Sequence, residues 1–390
     1  MSGVGGFLRT PQVVWVLGGS LIGRLPLGAA PLVLLLFARE TMSIGLAGLV
    51  VGAYSAGTAI GQPLLSRLAD RWRQPPVLWA AVALSTLGLI VTALRPGTAA
   101  MLVAAVLIGV GAPPFESCLR VLWKDLVPPE LVHVAYTVDV TAQELIFIVG
   151  PVLALGAIGL GGSVGGLVAI GVVQLVGTLI FATAPVVNRW RGETVPRHWA
   201  GPLRSAALRL LLAATLLVGA GVGSTVVAVT GYAEAAGSRS WAGWLLAAQA
   251  TGALIGGLLF ARHQPADLRR SLPGIVGLLA VSYLPLLLVP GLPVMVVLLV
   301  VSGAGLPAML TAVFISADKV APAGTAAESF AWVATAFAVG SAAGSAVDGA
   351  LLDASGSVAV GFLPAPLAIG AASALLLRRR RGGRQRSRAI

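Results

Sequence analysis

The sequence predicts an all-α membrane protein of twelve transmembrane helices in two pseudo-symmetric six-helix bundles. Three observations lead there. Of 390 residues, 57% are hydrophobic, only 10% are charged and 50 are glycine, a composition far from soluble averages and suited to helices that approach closely in lipid. Apolar runs of about 20 residues, the length a helix needs to cross about 30 Å of hydrocarbon, recur along the chain. Finally, "LIGVGAPPFESCLRVLWKDLVP" at 107–128 aligns without a gap with "VSGAGLPAMLTAVFISADKVAP" at 301–322. Gly109, Gly111, Pro113 and Pro128 fall on Gly303, Gly305, Pro307 and Pro322, which suggests a duplication.

The first six spans are expected at about 12–37, 44–66, 76–94, 99–123, 133–157 and 164–187. The first is too long for a signal-peptide core and lacks a small-residue cleavage site, so it reads as a retained helix. The second ends at the polar loop "SRLADRWRQPP" (66–76), and "LRPGTAA" separates the third from the fourth. Six more spans follow at about 208–232, 241–261, 272–290, 292–316, 324–349 and 357–377, with "VPGLPV" between the ninth and tenth. The repeat offset is 303 − 109 = 194, close to half the chain, and it also carries Gly150 onto Gly344. The expected domains are therefore an N-terminal bundle at 1–187, a cytoplasmic linker at 188–207, a C-terminal bundle at 208–377 and a basic tail at 378–390. Two parallel repeats suggest a substrate held at the midplane between halves that alternate access.

Of 26 basic residues only Lys124 and Lys319 are lysine. With the N-terminus cytoplasmic, only Arg39, Arg95 and Arg239 lie outside and only Arg24 and Arg120 lie within spans. The positive-inside rule then places both termini in the cytoplasm of a plasma membrane protein. The net charge of +12 needs no nucleic-acid partner, because the tail "RRRRGGRQRSR" can meet anionic inner-leaflet lipid. No glycine loop of the phosphate-binding pattern precedes either lysine. "GGSVG" at 161–165 formally matches a nucleophile elbow but sits in an expected external turn, while His133, His198 and His263 fall on the cytoplasmic side. A single cysteine, Cys118, excludes an internal disulfide and fits a small packing residue. No enzymatic centre, cofactor or metal site is expected, and the chain is expected to work as a monomer.

Leu68, Ala69, Asp70 and Arg71 in "SRLADRWRQPP" resemble the loop motif between helices two and three of the major facilitator superfamily. Ser66 stands at that family's leading glycine, and Arg73, Gln74 and Pro75 replace its later basic portion. In the second half "GGLLFARHQPADLRR" keeps only Arg262 and a basic loop. The resemblance implies a transporter in which Asp70 and Arg71 form a cytoplasmic gate latch held by hydrogen bonds to a neighbouring helix end. "ELIFIVGPVLALG" resembles the Gly-Pro kink in helix five of efflux members through Gly150, Pro151 and Gly156, whereas Ile146 and Leu155 depart from the glycine pattern. The family's helix-four arginine, expected near Ala105, is absent.

Charge inside a span costs about 2.5–3.5 kcal/mol per residue at the helix centre even on insertion scales, so such residues are paired or used. At about 1.5 Å per residue, Arg24 lies on the order of 20 Å and Glu144 about 16 Å from the cytoplasmic edge; Glu116, Asp139 and Arg120 form a shallower layer at roughly 10, 9 and 5 Å. Glu116 and Arg120, at i and i+4, share a face and can neutralise each other. Asp139, Gln143, Ile146 and Gly150 make one stripe of helix five, and Glu144, Ile148, Pro151 and Leu155 another about 140° away. The family's layout allows Arg24 to meet Glu144. Glu328 and Asp318 are expected at cytoplasmic helix ends, and Asp348 and Asp353 near the outer end, solvated.

The matching positions of the copy hold Leu310 and Phe314, so one side of the expected cavity is charged and the other apolar. That suits a small amphipathic organic molecule. The leading expectation is a proton-coupled antiporter that exports such a molecule, with Arg24, Glu116, Arg120, Asp139 and Glu144 forming the coupling and substrate cavity and Glu144 carrying the proton. The alternatives are proton-coupled uptake of a sugar or other metabolite, lipid translocation, or a non-transporting sensor or assembly protein.

Overall fold

The computed structural model describes residues 3–95, 97–192, 199–238, 240–262, 265 and 267–387. Among them every regular element is helical. Arg239, His198 and His263 lie outside the described residues, as do 193–198 of the expected linker and 388–390 of the tail.

The first half holds α1 (Val13–Arg39), α2 (Ile44–Arg71) and α3 (Gln74–Ala93). α4 follows in two pieces, Thr98–Val110 and Phe115–Leu126. A helical run over Val132–Thr183 is divided by non-helical backbone at Gly161 and Gly162, giving α5 (132–160) and α6 (163–183). The second half holds α7 (Ala206–Ala235), α8 (Ser240–Arg262) and α9 (Leu268–Tyr283). α10 is interrupted at Gly305 into Leu292–Ala304 and Leu306–Val320, and α11 (Ala326–Ser355) and α12 (Pro364–Ser387) complete the chain. Ten described segments are long and apolar enough to cross a membrane. Dividing Pro129–Thr183 at its two glycines makes eleven, and α2, with 28 residues, makes twelve.

Helix four was expected to be continuous from 99 to 123, and here the structure differs. Pro113 and Pro114 offer no N–H to the preceding turn, so α4 opens between Val110 and Phe115. Carbonyls freed in this way must find donors inside lipid. Gln62 Nε2 donates to the Ala112 carbonyl at 2.9 Å, and Gln174 Nε2 lies 3.5 Å from that of Gly111. Gln174 in turn accepts from Ser85 Oγ at 3.0 Å.

The chain forms two compact units. One comprises Met1–Ala135, Ala142–Pro202 and Pro322–Ala331; the other comprises Tyr136–Thr141, Leu203–Ala321 and Trp332–Ile390. In the first, Val33, Leu34, Phe37, Tyr54, Leu89, Met101, Ile108 and Ile170 form a buried core. α2 meets α4 where Gly57 and Gly61 face the carbonyls of Val106 and Val110, so closely that a Cβ would collide with them. α1 meets α5 in the same way at Gly28 and Gly150. Backbone angles stay helical through Gly150 and Pro151, and Gly150 serves this close approach.

The second unit repeats the scheme within itself. Gly252 and Gly256 of α8 face the carbonyls of Val300 and Ala304 of α10, and Gly344 of α11 faces that of Ala220 in α7. Such contacts, available only to small residues, replace the hydrophobic driving force that helices lack in lipid.

Candidate functional site

The second piece of α4 carries the buried charge. Its Arg120 is fully buried and donates through Nη1 to Oε1 of Glu116, whose side chain keeps 14% of its exposure. Several contacts fix this piece. Ser117 Oγ lies 2.7 Å from Ser66 Oγ, and Gln74 Nε2 donates to the Cys118 carbonyl at 3.0 Å. The Phe115 ring stands edge-on to Phe181, and Trp123 edge-on to Phe7. Ser66, which occupies the position of a family glycine, thus links the α2 terminus to the charged helix.

Arg24 is 1% exposed on α1, and a Cβ at its neighbour Gly23 would collide with the Phe115 ring. Asp139 is fully buried and belongs to the segment Tyr136–Thr141 of the second unit. Glu144 belongs to the first unit and is half-buried. The two stripes of α5 differ: Ile146 and Gly150 are buried with Asp139, whereas Ile148 and Leu155, on the Glu144 side, are exposed. The expected meeting of Arg24 with Glu144 does not occur; among the described residues Glu144 makes no ion pair, and its neighbours Leu145, Phe147 and Ile148 are exposed. Of the five expected cavity residues, Glu116 and Arg120 are brought together.

A second constellation lies at the α2–α3 turn. The Asp70 carboxylate is buried and accepts hydrogen bonds from the backbone N–H groups of Ala327 at 3.2 Å and Glu328 at 2.9 Å. These are the second and third residues of α11. "TAAE" at 325–328 has the spacing of a capping box, yet the Thr325 hydroxyl donates to the Pro322 carbonyl at 2.7 Å, and Asp70 supplies the cap from 257 residues away. Arg67 Nε approaches Glu328 Oε2 at 3.8 Å. Glu328 is buried, not solvated as expected. Arg71 is exposed, while Arg73 Nη2 donates to the Asn188 carbonyl at 3.0 Å.

The linker ends close over this constellation. Gly192 packs against the Asp70 carbonyl, and Gly201, with φ +52°, packs where a Cβ would stand 2.7 and 2.8 Å from the Glu328 carboxylate oxygens. Sequence reasoning placed Glu328 at a helix end but missed its burial there and the linker glycines over it, although the capping-box spacing marked the helix start.

At the other end of the first unit, Arg95 Nη2 donates to Glu40 Oε2 at 2.6 Å, and its guanidinium lies 5.3 Å from the centre of the Phe37 ring. Hydrogen bonding from Ser163 first, and then from Arg95, holds the Glu40 carboxyl below its ordinary value of 4.5. This clasp joins the ends of α1, α3 and the α5–α6 turn.

Twelve apolar helices, a buried ion pair within a span and a capped helix end at a basic loop define a polytopic membrane protein. The chain belongs to the Major Facilitator Superfamily, whose family model matches residues 16–220 and 211–390. Its fold is similar to that of a bacterial homologue of the iron transporter ferroportin in an outward-facing state, at TM-score 0.74 and 17% identity over 94% of this chain and 98% of that one. It is also similar to the human organic anion transporter MFSD10 (TM-score 0.70, 17% identity, 95% of this chain and 98% of that one). The E. coli fucose:proton symporter FucP gives TM-score 0.71 and 16% identity, covering 95% and 99% of the two chains. None of the curated protein sequences compared with the chain matches it.

Proposed function

We propose that this secondary transporter is a proton-coupled antiporter that exports a small amphipathic organic molecule from the cytoplasm by alternating access. The observation that carries this reading is the buried Glu116–Arg120 pair within a span, set against the apolar Leu310 and Phe314 at the matching positions of the repeat. An ion pair kept in a span at such desolvation cost marks a substrate or proton pathway. Arg24, Asp139 and Glu144 complete the proposed polar set. Glu144, half-buried and without an ion pair, remains the proposed proton carrier.

In this reading the bundles 1–187 and 208–377 are joined by the cytoplasmic linker 188–207, and the tail 378–390 meets anionic inner-leaflet lipid. Both termini face the cytoplasm of the plasma membrane, and the monomer is the working unit. Asp70, by capping α11, is the gate latch, with Arg71 in the same loop. Gly150 packs α5 against α1, and with Pro151 it forms the proposed kink site of helix five.

Reconstituted vesicles containing a pH-sensitive dye, screened against compound pools under an imposed proton gradient, test the reading. Substrate efflux that drives proton entry is expected. Co-directional movement of substrate and proton would replace export by uptake, and no proton flux with any pool would overturn proton coupling. Glu144→Gln should abolish gradient-driven transport while retaining ligand binding.

A further inference from the structure

Asp348 belongs to none of these constellations. It is fully buried in α11, and neither carboxylate oxygen has a hydrogen-bond partner. The residue lies seven positions before the helix end at Ser355, about 10 Å from it at 1.5 Å per residue. Gly344, Asp348 and Leu352 follow one another at i, i+4 and i+8 on one face of the helix. That face packs on α7: Gly344 meets the Ala220 carbonyl, the Leu352 side chain meets Gly231, and Ser345 Oγ donates to the Gly223 carbonyl at 2.8 Å. Asp348 sits between these contacts, while Ala346, Val347 and Ala350 on the remaining faces are exposed.

The hydroxyls on the facing stretch of α7 are already used. Ser224 and Thr225 both donate to the Gly221 carbonyl of their own helix, at 2.9 Å each. The ionisable residues of α7 are Arg209 near its start and Tyr232 and Glu234 near its end. The Tyr232 hydroxyl donates to the Pro290 carbonyl at 2.7 Å, and Glu234 and Asp353 are exposed. Among the described residues no basic group pairs with Asp348. An ionised carboxylate enclosed in this way, without a donor or a cation, would bear the full cost of desolvation, whereas its neutral acid would not. Among the described residues no group of His, Cys, Asp and Glu that could hold a metal ion forms, and the cation that a solitary carboxylate can hold is a proton.

We infer that Asp348 is a second proton-binding site, in the C-terminal half, which holds its proton while enclosed between α7 and α11 and releases it when water reaches the carboxylate. Its place in the transport cycle rests on the proton-antiport reading; its protonation does not. The released proton goes to water, and the carboxylate recovers one from water before it is enclosed again.

Infrared difference spectroscopy of the purified full-length protein at neutral pH tests protonation. A carboxylic-acid C=O band that disappears in Asp348→Asn is expected, and an unchanged band in that variant overturns the site. Should Asp348→Asn fail to accumulate, Asp348→Ala serves, since the repeat places Ala154 at the matching position of the first half. In vesicles, gradient-driven transport by the variant should fall by about tenfold, with gradient-free exchange retained. Wild-type gradient response in the variant overturns the cycling role. A wild-type protein that ignores the gradient but shows the band would overturn the antiport reading alone.

Discussion

The two halves share a skeleton and differ in their chemistry. With the offset of 194, the carbonyls of Val106 and Val110 that face α2 glycines correspond to those of Val300 and Ala304 that face α8 glycines. The left-handed residues Arg95 and Gly162, with φ of 55° and 64°, correspond to Val289 and Gly356, with φ of 45° and 62°. Yet Arg24, Glu116, Arg120, Asp139 and Glu144 correspond to Val218, Leu310, Phe314, Val333 and Ala338, and in the other direction Glu328 and Asp348 correspond to Val134 and Ala154. Helix packing in lipid depends on small residues and backbone turns, which constrain both copies alike. The ionisable side chains within the spans are not part of that small-residue packing and differ between the copies.

The largest expected effect comes from erasing this asymmetry. Arg120→Ala strands Glu116 beside a vacated buried site, and breaking a buried pair on one side costs about 3–5 kcal/mol. Replacing both, as Glu116→Leu with Arg120→Phe, copies the second half into the first. Thermal unfolding in detergent should show the double variant more stable than Arg120→Ala, while transport is lost in both. Transport at the wild-type level by the double variant would remove the pair from the mechanism.

Next is Asp70→Asn. Hydrogen bonds to a charged group contribute about 1.5–3 kcal/mol each, and Asn keeps one oxygen acceptor without the charge. Turnover should fall by about tenfold with substrate affinity nearly unchanged; lost affinity at normal turnover would place Asp70 in the binding site instead. A smaller loss is expected from Gly201→Ala, which strains a left-handed backbone and crowds the Glu328 carboxylate. It should cost about 1 kcal/mol or somewhat more in stability, with Glu328→Ala relieving the crowding part of that loss.

The smallest effect is at the outer clasp, where Glu40 and Ser163 have the counterparts Glu234 and Ser357 but Arg95 faces Val289. The folded-state pKa of Glu40 is lowered. The stabilisation from its ionised form is therefore present above its ordinary value of 4.5 and is lost as pH falls through the lower folded value. Glu40→Gln should flatten the acid limb of thermal stability slightly, by an amount that solvent exposure keeps small. An unchanged acid limb would mean that the clasp contributes nothing.

Much of the fold was legible because span length and glycine spacing are local signals. Twelve spans and the Glu116–Arg120 pair follow from residues a few positions apart, and the repeat from a gapless match of two such local patterns 194 residues apart. The break in α4 was also visible in Pro113 and Pro114, but its donors, Gln62 and Gln174, lie far away in sequence and only the fold brings them to it. Asp348 resembled an end-of-helix carboxylate by position; the stripe through Gly344 and Leu352, which places it on the packed face, was present in the sequence and unused. The Glu144 side of α5 could not be ranked from phase alone, since phase separates two faces without saying which one is covered.

Asp70 caps α11 at Ala327, and Asp348 lies 21 residues further along the same helix. At 1.5 Å per residue that stretch of helix is about 32 Å long. The first turn of α11 therefore depends on the α2–α3 loop for two of its free N–H groups, a cap that Thr325, bonded to the Pro322 carbonyl, does not supply.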